Sequence, residues 1–242
     1  MSDLPVRLVS ALHLPQRKLP ENLPERGYPR FLLELSTHLG FEQLGFLVRK
    51  YLFRQLHPDG GDIPPEFLLG FNPRTSVFHS ATATFHAPSD PSGIGGMRRE
   101  QIRSTPSWRN EAPRYDTVFV ETDPEQLGMR GMHVARVFLL FSFDFREITY
   151  PCALVNWFIP IDEAPDQLTG MWVVSPEFTY DDELSLTVIH IETILRGAHL
   201  IPCFGEDYVA SRTDIDASQT LDNFNSFYVN KYIDHHANEI VF

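Results

Sequence analysis

Apolar positions recur at two different spacings along this chain. In "PRFLLELSTHLG", Pro29 suits the first turn of a helix and Gly40 suits its end, so a helix is predicted over 29–40. In "FEQLGFLVRKYLFRQL", Leu44, Leu47, Val48, Tyr51, Leu52 and Leu56 fall three and four apart, which puts them on one helical face. The two segments form a predicted helical hairpin. After the turn-rich connection "HPDGGDIPPEFLLGFNPRT", the spacing becomes that of strands. Stretches rich in Val, Ile, Phe, Tyr, Trp and Thr predict strands at 76–85, 115–121, 133–143, 150–158, 170–174 and 186–191. "DFREIT" is read as the turn between the third and fourth of these, and "PIDEAPDQLTG" as a longer acidic loop. In the tail, Leu221, Phe224, Phe227, Tyr228 and Tyr232 sit near helical spacing and predict a C-terminal helix. The expected fold is α+β: a helical hairpin packed on a mostly antiparallel β-barrel or curved sheet, with a helix at the C-terminus. Residues 1–28, rich in proline and polar groups, form an extended arm. Residues 29–73 hold the hairpin and linker, and 74–242 the β-rich domain.

Composition narrows the setting. The 242 residues are 43% hydrophobic, enough for one large core. The longest apolar run, "VARVFLLFSF", contains Arg136 and is about half the length of a spanning helix, so no membrane segment is expected. The N-terminus lacks the pattern of a secretory signal, which points to an intracellular protein. Cys152 and Cys203 each adjoin a proline among apolar residues and are read as free thiols.

Charge is distributed unevenly. Residues 1–73 carry eight basic and eight acidic side chains, 74–115 carry six and three, and 116–242 carry six and twenty-one, for a net charge of −12. That sign argues against broad nonspecific nucleic-acid binding but leaves room for a local basic face. The basic residues concentrate where Arg98, Arg99, Arg103, Arg109 and Arg114 surround Trp108. A guanidinium fork suits phosphate and an indole can stack on a base, so these six residues are the candidate contact surface for nucleic acid or a protein partner. The alternative is internal: the same arginines could pair with carboxylates of the acidic half.

Other patterns carry less chemistry. Gly93, Gly95 and Gly96 in "SGIGGM" lack the Lys-Ser/Thr pair of a phosphate loop and are read as a tight turn. His190, His199, Cys203, His235 and His236 lack the paired spacing of a zinc site, so no metal is expected. Asp181, Asp182 and Glu183 are consecutive, which suits a solvated loop better than a metal cradle. No G-x-S-x-G elbow is present. Neither a catalytic constellation nor a cofactor motif emerges; a histidine–acid site around His190, Glu192 and His199 is the remaining enzymatic alternative. Tyr150, Trp157, Phe158 and Trp172 form an aromatic set that is either sheet core or a pocket for a cationic side chain.

Seven phrases carry a family resemblance: "VFHSATATFHAPSDPSGIGGMRREQIRSTPSW", "RYDTVFVETD", "GMRGMHVARVFLLFSF", "YPCALVNWF", "TGMWVV", "VIHIETILRGAHLIP" and "LDNFNSFYVNKYIDHHANEI". In this order and spacing they resemble the C-terminal region of transposases from Plavaka-type fungal DNA transposons. "RGYPRFLLELSTHLG" and "FLVRKYLFRQLHPD" resemble the helical segment preceding that region. The resemblance implies a nuclear, noncatalytic accessory module whose partners are the transposase catalytic region, another protein, or transposon DNA. It also implies that the acidic catalytic residues lie on a ribonuclease-H-like domain not recognisable in this chain. The order of predicted strands from 134 to 202 is more loosely similar to that of bromo-adjacent-homology domains, small barrels that bind nucleosomes or other proteins. That second likeness motivates the alternative of a chromatin or peptide reader.

Overall fold

The longest apolar run of the chain becomes the spine of the structure. The computed structural model describes residues 16–18, 24–88, 95–204 and 217–241. In chain order the elements begin with β1 (Gln16–Lys18), α1 (Leu32–Leu39), α2 (Leu44–Leu56), β2 (Thr75–Phe78), β3 (Ser80–His86) and β4 (Met97–Thr105). Next come β5 (Arg114–Tyr115), β6 (Thr117–Glu121), β7 (Met132–Phe145), β8 (Ile148–Pro160), β9 (Val173–Pro176) and β10 (Leu186–His190). The last are β11 (Ile194–Gly197), β12 (Leu200–Pro202), α3 (Thr220–Asn223), β13 (Phe227–Val229) and α4 (His235–Val241).

β7 and β8 form a long antiparallel hairpin closed at Arg146 and Glu147, both with positive φ, the backbone twist that a two-residue hairpin turn favours. Each hairpin strand is long enough to hold two neighbours on its outer edge. β6 and β2 share the free side of β7, while β9 and β10 share that of β8. The sheet continues through β13 to β12 at one end and through β6 to β11 at the other. A second sheet, β1-β3-β4-β5, is also antiparallel. The result is a curled antiparallel half-barrel with a few helices, in keeping with the α+β expectation.

β7 buries both faces. Ala135, Val137 and Leu140 pack with Ala81, Phe85 and Ile102 of the second sheet. Leu139, Phe141 and Phe143 pack instead with Leu35, Leu47, Val48 and Leu52 of the helical hairpin. A bulge between Val137 and Leu139 shifts the register part-way along the strand. A third cluster joins Phe158, Trp172, Val174, Phe227 and Val241 and seats the C-terminal segment.

Several expected boundaries move for local reasons. The first helix begins at Leu32 rather than Pro29 because the preceding backbone is still extended: Phe31 bridges Arg74, and Thr75 N–H donates to the Arg30 carbonyl at 2.7 Å. It ends as expected at Gly40, whose φ of 71° suits glycine and whose N–H caps the Ser36 and Thr37 carbonyls. The predicted strand 76–85 is two strands, because the chain leaves one sheet for the other at His79. The C-terminal helix is shorter than its spacing suggests. Phe227 and Tyr228 pair with Val174 and Val173 as a strand, and only His235–Val241 is helical beyond it. Within the arm, residues 1–15 and 19–23 lie outside the described residues, as does Gly93. Among the described residues no helix is long and apolar enough to cross a membrane.

Candidate contact surface

The arginine-rich stretch is built on a β-hairpin. Its first strand, β4, alternates in exposure: Arg99 and Gln101 face outward, while Ile102 and Ser104 are buried. Its second strand is the two-residue β5, paired through Ser104 with Tyr115 and Thr105 with Arg114. Between them Arg109 and Asn110 take φ of 55° and 63°, and Glu111 N–H closes the turn on the Trp108 carbonyl at 2.9 Å. This tight return brings three guanidinium groups to one indole. Arg103, Arg114 and Arg109 lie 4.3, 5.3 and 5.5 Å from the Trp108 ring centre, all within cation–π range.

The five arginines divide between the two expectations. Arg114 Nε donates to Asp116 at 2.7 Å, and Arg98 lies 3.6 Å from Asp234 and 3.8 Å from Glu100. Those two meet carboxylates of the molecule itself. Arg103 stacks on Trp108 and reaches Gln101 at 3.4 Å, Arg99 reaches only the Thr82 hydroxyl at 3.5 Å, and Arg109 stacks on the indole from the turn. Among the described residues these three guanidinium groups make no ion pair with a carboxylate. Asp116 also accepts the Arg103 backbone N–H at 2.9 Å, so one carboxylate fixes both strands of the hairpin.

Two arginines that the sequence reading did not single out carry the strongest internal electrostatics. Arg196 is 1% exposed and donates to Asp234 through both terminal nitrogens at 2.8 and 2.6 Å, and to Glu100 at 2.7 Å. His236 Nδ1 lies 3.1 Å from the same guanidinium, and Phe85 lies under it. Hydrogen bonding to Arg196 holds the Asp234 carboxyl well below the usual carboxylate range. Burial, reinforced by Arg196, lowers His236. Arg136 similarly grips Asp222 with both terminal nitrogens, against Phe138 and Tyr115. An arginine inside an apolar strand was the available signal, since a buried guanidinium requires a carboxylate partner.

The aromatic set does not converge on one point. Phe158 and Trp172, 1% and 8% exposed, belong to the C-terminal cluster. Tyr150 stacks on Phe143 beneath the helices, with ring centres 5.2 Å apart. Trp157 lines a cleft, a space of about 580 Å³ shared with Glu121, Glu177 and His190 and also lined by Lys50 and Arg54. Strand alternation explains the separation, because neighbouring positions 157 and 158 point to opposite faces.

His190 and His199 are likewise apart. His190 Nδ1 accepts the Glu192 N–H at 3.2 Å beside the Trp157 cleft, whereas His199 lines a different cleft of about 520 Å³ with Glu100, Tyr115 and Asp116. Both cysteines are free; burial pushes the Cys152 thiol up to about 12, which makes it a poor nucleophile at neutral pH. Among the described residues no group of three or more His, Cys, Asp or Glu side chains is arranged to hold a metal ion. The chain matches no family model, and no curated protein matches it.

Proposed function

We propose that the chain is a noncatalytic contact module, of the kind its resemblance to the tail of Plavaka-type transposases implies. It acts in the nucleus by joining the transposase catalytic region and transposon DNA. The observation that carries the reading is the hairpin on which Arg103, Arg109 and Arg114 surround Trp108. Asp116 balances Arg114 alone; Arg103 and Arg109 still repel one another at the shared ring, and an indole offsets that repulsion only in part. A phosphate or acidic surface completes the balance through forked hydrogen bonds. The net charge of −12 confines such a contact to this face. In the interior, by contrast, Arg196 is matched by Asp234 and Glu100.

The test is the salt dependence of binding to a transposon-end duplex, followed by fluorescence anisotropy for wild type and Arg103→Ala/Arg109→Ala. Each phosphate contact contributes about 0.9 to the slope of log K against log salt, so the variant should flatten the slope by about 2. Absent binding by wild type, or equal slopes, removes DNA from the reading.

Trp157 favours a second reading, a reader of a cationic peptide side chain. Its ring lines a cleft with the carboxylates Glu121 and Glu177, which would have to outweigh Lys50 and Arg54 of the same lining to hold an ammonium or methylated lysine against the indole. Titration with lysine-rich peptides should shift Trp157 fluorescence and lose that response in Glu121→Gln/Glu177→Gln. A flat response in wild type eliminates it.

A further inference from the structure

A second group of arginines, distant in sequence from the Trp108 hairpin, gathers around a cleft of about 370 Å³. It is lined by residues 24–30 and 74–77 and includes Arg26, Arg30 and Arg74. Backbone hydrogen bonds hold these two segments side by side. Glu25 N–H donates to the Val77 carbonyl at 2.9 Å, Thr75 N–H to Arg30 at 2.7 Å, and Phe31 bridges Arg74. Main chain therefore fixes the backbone from which the three exposed arginine side chains extend.

The charge in this cleft is unbalanced. Glu25 is the one acidic residue lining it, and its carboxylate lies 3.6 Å from His79 Nδ1. Among the described residues none of the three arginines has a carboxylate within ion-pair distance. Guanidinium groups cannot relieve mutual repulsion by losing a proton, so an anion with several oxygens is the natural complement.

The cleft adjoins the Trp108 hairpin. Tyr28, in its lining, hydrogen-bonds to His79 Nε2 at 2.9 Å, and the His79 carbonyl accepts the Ser104 N–H at 3.0 Å, one residue from Arg103. We propose that Arg26, Arg30 and Arg74 form a phosphate-binding cleft that continues the basic face of the Trp108 hairpin and receives the backbone of the same DNA. The DNA assignment rests on the function proposed above; the phosphate site rests on the cleft alone.

Two measurements separate these layers. In the first, duplex binding against salt is compared for wild type, Arg103→Ala/Arg109→Ala and Arg26→Ala/Arg30→Ala/Arg74→Ala. The cleft variant should flatten the salt slope by about 2 to 3, at about 0.9 per phosphate. In the second, inorganic pyrophosphate is titrated into wild type and the cleft variant while the backbone amides of 25–30 and 74–77 are followed by NMR; wild type should respond and the variant should not. If the hairpin variant loses slope while the cleft variant matches wild type, the cleft is wrong and the proposed function stands. If wild type binds no duplex yet pyrophosphate shifts the cleft amides, the DNA assignment falls and the site serves a free phosphate-bearing ligand. No response to either probe overturns both. Should the triple variant unfold, Arg30→Gln takes its place, with a slope change of about 1 expected.

Discussion

Arg196 and Arg103 are the same residue type on neighbouring parts of the structure, and their surroundings give them opposite work. Arg196 lies in the interior, with Asp234 and Glu100 supplying carboxylate oxygens to both terminal nitrogens. Arg103 lies near the surface, with an aromatic ring and an amide as its partners. The interior demands full compensation because a desolvated guanidinium costs several kcal/mol. At the surface water supplies most of that compensation, so a ring suffices and donors remain available to a partner. Arg136 extends the comparison. Both buried arginines bind a carboxylate of the C-terminal segment, Arg136 that of Asp222 and Arg196 that of Asp234, so the interior charges fasten the end of the chain to the sheet.

The sharpest way to break this comparison is to remove the interior cation. Arg196→Met should destabilise the fold by about 3–4 kcal/mol in urea unfolding, because it leaves the largely buried Asp234 and Glu100 with only their longer contacts to Arg98. Arg196→Met/Asp234→Asn should recover part of that loss, since the second change removes one stranded charge. A single-variant cost under about 1 kcal/mol would place Arg196 among ordinary surface ion pairs and end the distinction. Arg136→Met should cost less, about 1–3 kcal/mol. The Asp222 side chain is 57% exposed and regains water when its partner goes. An Arg136 effect equal to that of Arg196 would show that exposure of the carboxylate does not set the scale.

The same contrast decides what could be read from sequence. The helices and the β7–β8 hairpin were legible because their inward positions are apolar at the spacing of the element: Leu47, Val48 and Leu52 on the helix, Val137, Leu140 and Leu154 on the strands. β4 and β11 were not. They place Glu100 and Arg196, respectively, in the interior network, so charge occupies positions where a strand pattern calls for an apolar residue. β13 was hidden differently: three residues between two helical turns are too few to show alternation, and its aromatic neighbours fall by chance near helical spacing. The hairpin arginines and Trp108 were legible as a group because they are close in sequence. Their division into paired and stacking members depends on Asp116 and Asp234, whose positions no local pattern encodes.

Acid should sharpen the comparison further, with an intermediate effect. His236 and Asp234 are both depressed in the folded state, so each contributes stability that is present above its unfolded value and lost as pH falls toward its folded one. Loss should begin below the ordinary histidine value of 6.5 and steepen below the ordinary aspartate value of 3.8. Urea unfolding across this range should show the steeper limb in wild type and a shallower one in Asp234→Asn. Parallel limbs would mean that Arg196 does not hold the Asp234 carboxylate against protonation.

The smallest effect belongs to the hairpin, and its smallness is the point. Trp108→Ala removes the ring shared by Arg103, Arg109 and Arg114, yet exposed cation–π contacts are worth only about 0.5–1 kcal/mol each and need not add. Unfolding free energy should therefore fall by about 1 kcal/mol, well short of the Arg196 loss. The β4–β5 pairing and the Asp116 bonds that shape the hairpin do not involve the indole, so the turn should persist. With the arginines still present, duplex affinity at low salt should fall modestly while the salt slope stays near that of wild type, because no phosphate-binding cation has been removed. If Trp108→Ala instead abolishes the slope, the ring organises the cations; if it destabilises the fold as much as Arg196→Met, the hairpin is part of the core and the contrast between matched interior and available surface charge does not hold.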